Sequence, residues 1–468
     1  ANGNKTYEGY ATQTNGYWNF YQQSTINYDA LNRVASIIDP QNRVYYEYDG
    51  VGNRRRVTAY NGSSTTATHD YWYQYDTMNR FTLSMGTLVD TANGNKVITD
   101  TSTLTANSAT QIQLGAKDVN NSSVSITYDK LGNRASAHYG YDDHTEYYSY
   151  TADGYFQNMY NAALVNNDGT NATHLMASRT MDLLGRVTVY DEYTSPGVLK
   201  GKQKYVYDAD GKVSSTTSDQ RNTDGKGATS LSETTNLLMG DGTLRSSSTK
   251  TTPSGSSTTT STTTYDYAWW DTAQQLKITQ KQAGVGDGVS NFGYDVNGHI
   301  NYVDDVVGDR HMRYVNNAQG LIMRRDEIGA ANSVNKYENY FYVDGNRYGE
   351  AGNNPGTSNQ VDYAQALAST PPADRKQAYK TPRPITSNYD QNYQPINAGY
   401  PGFSSTRFVV PSSQTKLSDV ARSVWGDASL WYLIADANGL SADTQLTQGQ
   451  SLVIPNKVTN VHNNSQTH

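Results

Sequence analysis

A chain of 468 residues and 51.6 kDa is too long for one small globule and predicts two or three folding units. A net charge of −7 with no basic run longer than Arg54-Arg55-Arg56 argues against a nucleic-acid binder, because phosphates require clustered positive charge. The absence of cysteine excludes disulfides, thiolate chemistry and cysteine-ligated zinc, and no apolar stretch is long enough to insert in a membrane as a helix.

Only 35% of the residues are apolar, and Tyr occurs 39 times against 7 Phe. A tyrosine ring is apolar, but its hydroxyl needs a partner, which suits half-buried strand faces better than dry helical cores. The composition therefore predicts a mainly β protein. Its Ser, Thr, Asn and Gly content and its lack of Cys predict a bacterial extracellular or cell-envelope location. The start Ala1-Asn2-Gly3-Asn4 does not read as a secretory signal, so a mature product or a fragment is expected.

In chain order, a short motif recurs. Its best copies are Tyr28-Asp29-Ala30-Leu31-Asn32-Arg33, Tyr48-Asp49-Gly50-Val51-Gly52-Asn53-Arg54, Tyr75-Asp76-Thr77-Met78-Asn79-Arg80 and Tyr128-Asp129-Lys130-Leu131-Gly132-Asn133-Arg134. Looser copies begin at Met181, Tyr207 and Tyr294, and degenerate ones at Tyr314 and Tyr342. Each copy reads as a hairpin. Val44, Tyr46 and Tyr48 alternate with Tyr45 and Glu47 at the period of a strand. Asp49 then offers its carboxylate to backbone N–H groups two residues on, while Gly52 and Asn53 tolerate positive φ. The recurring Arg is expected to pair with the motif Asp of its own or an adjacent turn.

This pattern resembles the YD-repeat family, also called Rhs repeats, over roughly residues 20–348. The resemblance implies long antiparallel strands winding as one sheet around a hollow shell, as in bacterial toxin complexes, Rhs effectors and teneurins. Residues 1–350 are thus expected to form a YD-repeat body, a partial or complete shell. The motif is missing between Tyr75 and Tyr128, and between Tyr207 and Tyr265 the chain runs through Ser/Thr tracts. Both stretches are expected to form long hairpins or outward excursions. A partial wind would leave sheet edges free to pair with another copy.

Residues 351–406 read as a linker, since eight of the twelve prolines fall between Pro355 and Pro411. Residues 362–368 are the one place in it with a helical pattern. From Arg407 the periodicity changes: Phe408-Val409-Val410 reads as a strand, and Leu417, Val420, Ala421 and Val424 share one helical face with Thr415 as N-cap. Leu430, Leu433, Ile434 and Ala437 share the face of a second helix, and Ser451-Leu452-Val453-Ile454 closes the unit as a strand. This βααβ order and the residues Trp425-Gly426-Asp427, Leu430-Trp431, Ala437-Asn438 and Gly449 to Pro455 resemble a LysM (lysin motif) domain over residues 407–456, followed by a tail at 457–468. The resemblance implies binding of an N-acetylglucosamine-containing glycan such as peptidoglycan, in a groove of Ser413, Gln414, Thr415, Asn438 and Leu440. The first loop departs from the family's Gly-Asp-Thr-Leu by reading Ser413-Gln414-Thr415-Lys416-Leu417.

No His pair has zinc-ligand spacing, no nucleophile elbow or phosphate loop occurs, and neighbouring carboxylates such as Asp142-Asp143 point to opposite faces of a strand. No cofactor, metal or catalytic residue is expected. The sequence therefore predicts a non-enzymatic structural or binding protein: a repeat scaffold attached by its LysM-like unit to a wall glycan or a neighbouring subunit. The alternatives are a fragment of an Rhs-type toxin-encapsulating shell and a fibre or sheath subunit that assembles through sheet edges.

Overall fold

The computed structural model describes residues 3–65, 67, 69–85, 88–90, 94, 96–97, 116–118, 124–139, 144–162, 174–195, 198–221, 228–268, 271–282, 287–306, 310–329, 334–353, 387–389, 407–410, 416–425, 434, 438, 440, 446 and 450–454. Twenty-six strands join one antiparallel sheet in which nearly every strand pairs with the next in sequence. The period-2 pattern places one face inward. Ile26 lies opposite Ile37, Ile37 opposite Val44, and Val44 opposite Ala59, and all four are buried. Tyr45, between two inward residues, points outward against Tyr60. Each strand is half-buried, which favours β-branched and aromatic residues.

The gap after Tyr75 does not interrupt the repeats. Strand Phe81–Met85 pairs directly with strand Val124–Tyr128, setting Ser84 opposite Val124. From the stretch between them, Leu88–Asp90, Lys96–Val97 and Ala116–Asp118 form a small separate sheet. In the Ser/Thr region the first of the two expected forms is present. Strands Ala228–Leu238, Leu244–Pro253 and Thr259–Ala268 are long hairpins within the main ladder, not outward excursions. Ser232, Thr234, Ser247 and Thr249 are buried there, and the Thr234 and Thr249 hydroxyls bond each other at 2.9 Å. Cross-strand hydroxyl pairing satisfies these groups, so polar residues can occupy an inner face.

The sheet winds back on itself. In the last hairpin, strands Val334–Val343 and Asn346–Asn353, the consecutive residues Tyr340, Phe341, Tyr342 and Val343 are all buried, so both of its faces are covered. Phe341, Val343 and Tyr348 share a core with Ile26, Ile37 and Val44. Tyr340 and Tyr342, on the opposite face, pack with Met323, Tyr10 and Tyr21. The first and last repeats therefore meet. One edge of the sheet is Tyr7–Thr14. The other is Ser387–Tyr389, which pairs with Asn346–Asn353 and so brings a piece of the expected linker into the sheet. Residues 362–368 lie outside the described residues.

The C-terminal described residues form their own core. Strands Arg407–Val409 and Ser451–Val453 pair antiparallel, and helix Leu417–Trp425 buries Leu417, Val420, Ala421 and Val424 against Phe408, Ile434 and Leu452. The helix begins one residue later than the sequence suggests. Asp419 in its first turn accepts the Lys416 N–H at 3.1 Å, the reaching-back half of a capping box, which puts Lys416 at the cap; Thr415 lies outside the described residues. Among the described residues no helix is long and apolar enough to cross a membrane.

Candidate functional site: the row of repeat turns and the seam between first and last repeats

Every motif turn is built alike. In the first, the Asp29 carboxylate accepts the Leu31 and Arg33 N–H groups, both at 2.9 Å, and the Arg33 Nε at 2.7 Å. Asp76 with Met78 and Arg80, and Asp182 with Leu184 and Arg186, repeat this geometry. Asp49 and Asp129 hold the same backbone bonds, but there the side-chain partner is Asn53 or Asn133. Asn53 and Asn133 here occupy the position that Arg33 takes in the first turn. With Gly-Asn before it, the Arg falls one position later and turns to the other face: Arg54 stacks over Tyr46 at 4.8 Å, and Arg134 is buried.

Sequence reasoning missed two further turns. Thr151 to Tyr155 closes with Thr151 in place of Asp, its hydroxyl accepting the Tyr155 N–H at 3.0 Å. Met239 to Thr243 closes with Asp241 capping instead. The remaining signal at both was the glycine, Gly154 and Gly242, at positive φ.

Consecutive turns are coupled by a tyrosine ladder. After each turn the pairing skips one residue on the return strand, Ala35 in the first repeat, and this bulge turns the carbonyl of Val34 out of the ladder. The motif Tyr of the next repeat reaches it: Tyr48 donates to Val34 at 2.7 Å, Tyr128 to Phe81 at 2.6 Å, Tyr150 to Arg134 at 2.7 Å and Tyr207 to Val187 at 2.6 Å. Tyr28, in the first repeat, donates to Lys5 instead. The ladder explains the composition, since Phe fills the same space without supplying a donor. Where Tyr is absent, Asn substitutes: Asn316 donates to the Ile300 carbonyl at 2.6 Å. Burial pushes the Tyr128 and Tyr150 hydroxyls up, keeping both protonated as donors.

The turn Arg lies over the same ring. Arg33 sits 4.4 Å from the Tyr48 centroid, Arg80 4.4 Å from Tyr128 and Arg186 4.5 Å from Tyr207. That side chain also dictates the next glycine. A Cβ on Gly211, at φ +78°, would lie 3.2 Å from the Arg186 guanidinium. Asn79 adopts the same left-handed backbone where the preceding side chain is the short Asn53, which bonds it at 3.0 Å.

Tyr207→Phe is expected to destabilise the sheet by about 1–3 kcal/mol by leaving the Val187 carbonyl unpaired, whereas Tyr17→Phe at an exposed site stays within about 0.5 kcal/mol. Urea unfolding of both variants is the check. For Asp29, Asp76 and Asp182, burial raises the carboxyl pKa, but the turn N–H groups and the Arg outweigh it and the net shift is downward. The stability these turns add is complete above the ordinary value of 3.8 and is lost as pH falls through the depressed native values. Thermal unfolding midpoints should accordingly drop on acidification below that point.

The seam closes the wind with buried polar pairs. The amide of Gln22, fully buried, donates to the Tyr342 carbonyl at 2.6 Å and accepts the Tyr342 N–H at 2.9 Å. The last hairpin is bulged at this point, between Phe341 and Tyr342. Beside them, Asn339 donates to Gln41 at 2.8 Å, Ser24 bonds the Tyr348 hydroxyl at 3.1 Å, and Glu8 accepts the Asp344 N–H at 2.9 Å. Lys5 reaches Asp344 at 2.5 Å. Asp39, held by the Gln41 and Gln23 N–H groups and Ser24, is raised in pKa by burial despite those bonds.

Of the expected glycan groove, Ser413, Gln414 and Thr415 lie outside the described residues. Asn438 is helical and donates to the Ile434 carbonyl at 2.7 Å, and Leu440 packs on the C-terminal core.

No protein-family model matches the chain, and no curated protein does. Among solved structures, the crystal structure of TcdB2-TccC3-TEV is similar with a TM-score of 0.29 and 12% identity, over 71% of this chain and 20% of that one. TcdB2-TccC3 is similar with a TM-score of 0.28 and 13% identity, over 72% of this chain and 22% of that one. A porin-like protein from Bacteroides vulgatus has a TM-score of 0.24 and 13% identity, over 43% of this chain and 92% of its own. The chain thus spans about a fifth of the length of the TcdB2-TccC3 structures it matches.

Proposed function

We propose that this chain is a non-enzymatic scaffold of the YD-repeat type, acting in the bacterial envelope or outside the cell. Its LysM-like C-terminal unit attaches it to an N-acetylglucosamine-containing glycan such as peptidoglycan, or to a neighbouring subunit. The coupling of each repeat to the next carries the scaffold reading: the described motif Asp side chains bond their own turns, and the Tyr hydroxyls bond the preceding repeat. These groups build rigidity and leave no poised acid, base or nucleophile in the row. The strand pair closed over a helix at residues 407–454, with Leu440 half-buried against its core, supports the LysM part. Small polar side chains and an apolar rim suit acetamido sugars.

A pulldown on purified peptidoglycan, comparing the full chain with one truncated before Ser404, tests the attachment. Retention of the full chain and loss of the truncated one is the expected result. Equal retention of both, or of neither, overturns it. One observation favours the second reading, a fragment of a toxin-encapsulating shell: the sheet winds back until its first and last repeats share a core, as the wall of a shell would. A variable toxin region encoded downstream supports that reading, and an immediate stop codon opposes it.

A further inference from the structure

The tips of the repeat turns differ along the sheet. The third turn residue carries Leu31, Val51, Met78, Leu131 and Leu184 in five of the first six turns, and Leu183 adjoins the last of these. They are 69%, 75%, 63%, 81%, 70% and 105% exposed in that order, with Leu183 last. At the same position the later turns carry Asp210, Asp241, Asn297 and Gln319. Because strand Phe81–Met85 pairs with Val124–Tyr128, the turns around Met78 and Leu131 are neighbours and the row is unbroken. Its side chains repeat every two strands, about 9–10 Å.

Such a row on an otherwise polar rim marks a contact surface. We infer that this apolar half of the turn rim is the contact between two copies of the chain, packed rim to rim about a two-fold axis. The exposed area of the six side chains is on the order of 800 Å², about what each partner of a standard interface contributes. Beneath the tips, Asp29, Asp76 and Asp182 are already held inside their turns by Arg33, Arg80 and Arg186, and Asp49 and Asp129 by the N–H and amide groups of Asn53 and Asn133, so approach strips none of them of its partners. A second copy also presents the same repeat spacing, so the tips of one can enter the gaps of the other. A two-fold axis between the turns at 76–80 and 129–133, the middle of the stretch, sets Met78 of one copy against Leu131 of the other and Leu31 against Leu184.

Sedimentation equilibrium of the full chain tests the inference. The wild-type mass is expected to rise with concentration toward twice 51.6 kDa, and the variant Leu31→Asp, Leu131→Asp, Leu184→Asp to remain at one chain mass. Asp is tolerated at this turn position, as Asp153 and Asp210 show, so the strand signal in circular dichroism should be unchanged. Val296→Asp, on an isolated exposed tip of the polar half, should still dimerise. A wild-type chain that stays monomeric, a triple variant that still dimerises, or equal disruption by Val296→Asp overturns the inference. Should the triple variant unfold, the cysteine-free background permits a second measurement: a bismaleimide should link copies carrying Leu131→Cys and not those carrying Val296→Cys, and equal linking of both contradicts the proposed face.

Discussion

Gln22→Ala is expected to destabilise the protein by about 2–5 kcal/mol, far beyond an ordinary glutamine truncation. Its side-chain amide covers a backbone donor and a backbone acceptor at once, and both belong to Tyr342, whose strand is buried on both faces. Removing the amide takes a hydrogen-bond partner from each in a place water reaches poorly, at about 1–3 kcal/mol per group. Gln22→Glu separates the two bonds. It keeps the acceptor for the Tyr342 N–H but sets a carboxylate oxygen against the Tyr342 carbonyl, and should be at least as destabilising. Urea unfolding gives the answer through the shift in midpoint at unchanged slope. A loss under about 0.5 kcal/mol for Gln22→Ala would show that the two repeats do not meet as described.

Asp70→Ala is the other large effect. Arg56 donates Nε to Asp70 Oδ1 at 2.7 Å and Nη2 to Oδ2 at 2.9 Å, with both side chains 8% exposed. The guanidinium also lies 4.5 Å from the ring centre of Trp72, which is fully buried, and burial tends to lower the Arg56 pKa but Asp70 more than reverses it. Glu47, the second carboxylate, stands at 3.5 Å and is far more exposed. Truncating Asp70 therefore takes the bidentate carboxylate away from a buried cation, at about 3–5 kcal/mol. The double variant Arg56→Met, Asp70→Leu should recover much of the loss, because a buried ion pair is readily replaced by apolar side chains of similar volume. A double variant no more stable than Asp70→Ala would contradict this account of the pair.

The turns were legible in the sequence because their chemistry is local. Asp29, Asp76 and Asp182 each serve a backbone within four residues, so Tyr-Asp, a left-handed Gly or Asn, and Arg recur at short fixed offsets. The turns at Thr151 and Met239 escaped because a hydroxyl or a displaced Asp does the same work with different letters. At Asp49 and Asp129 an added residue in the motif puts Asn53 or Asn133 where Arg33 stands in the first turn.

The long-range pairings were not legible. Nothing about Gln22 announces a partner as remote as Tyr342, and a buried glutamine reads as surface composition until its partner is known. The Ser/Thr strands left two forms open because their hydroxyls satisfy one another only across the ladder, as Thr234 and Thr249 do. The C-terminal helix face could be read from its spacing, since Leu417, Val420, Ala421 and Val424 lie within two turns.

The central claim is that the repeats form one sheet wound until its first and last hairpins touch. The chain has no cysteine, so Lys5→Cys with Asp344→Cys gives a uniquely labelled pair for a spin-label distance measurement, at the loss of the Lys5 ion pairs with Asp344 and Glu8 and with some strain at the left-handed backbone of residue 344. The wound sheet predicts side chains in contact and a short, narrow distance distribution. An unrolled sheet of the same twenty-six strands would hold its ends on the order of 100 Å apart, and a distance of that size would contradict the fold described.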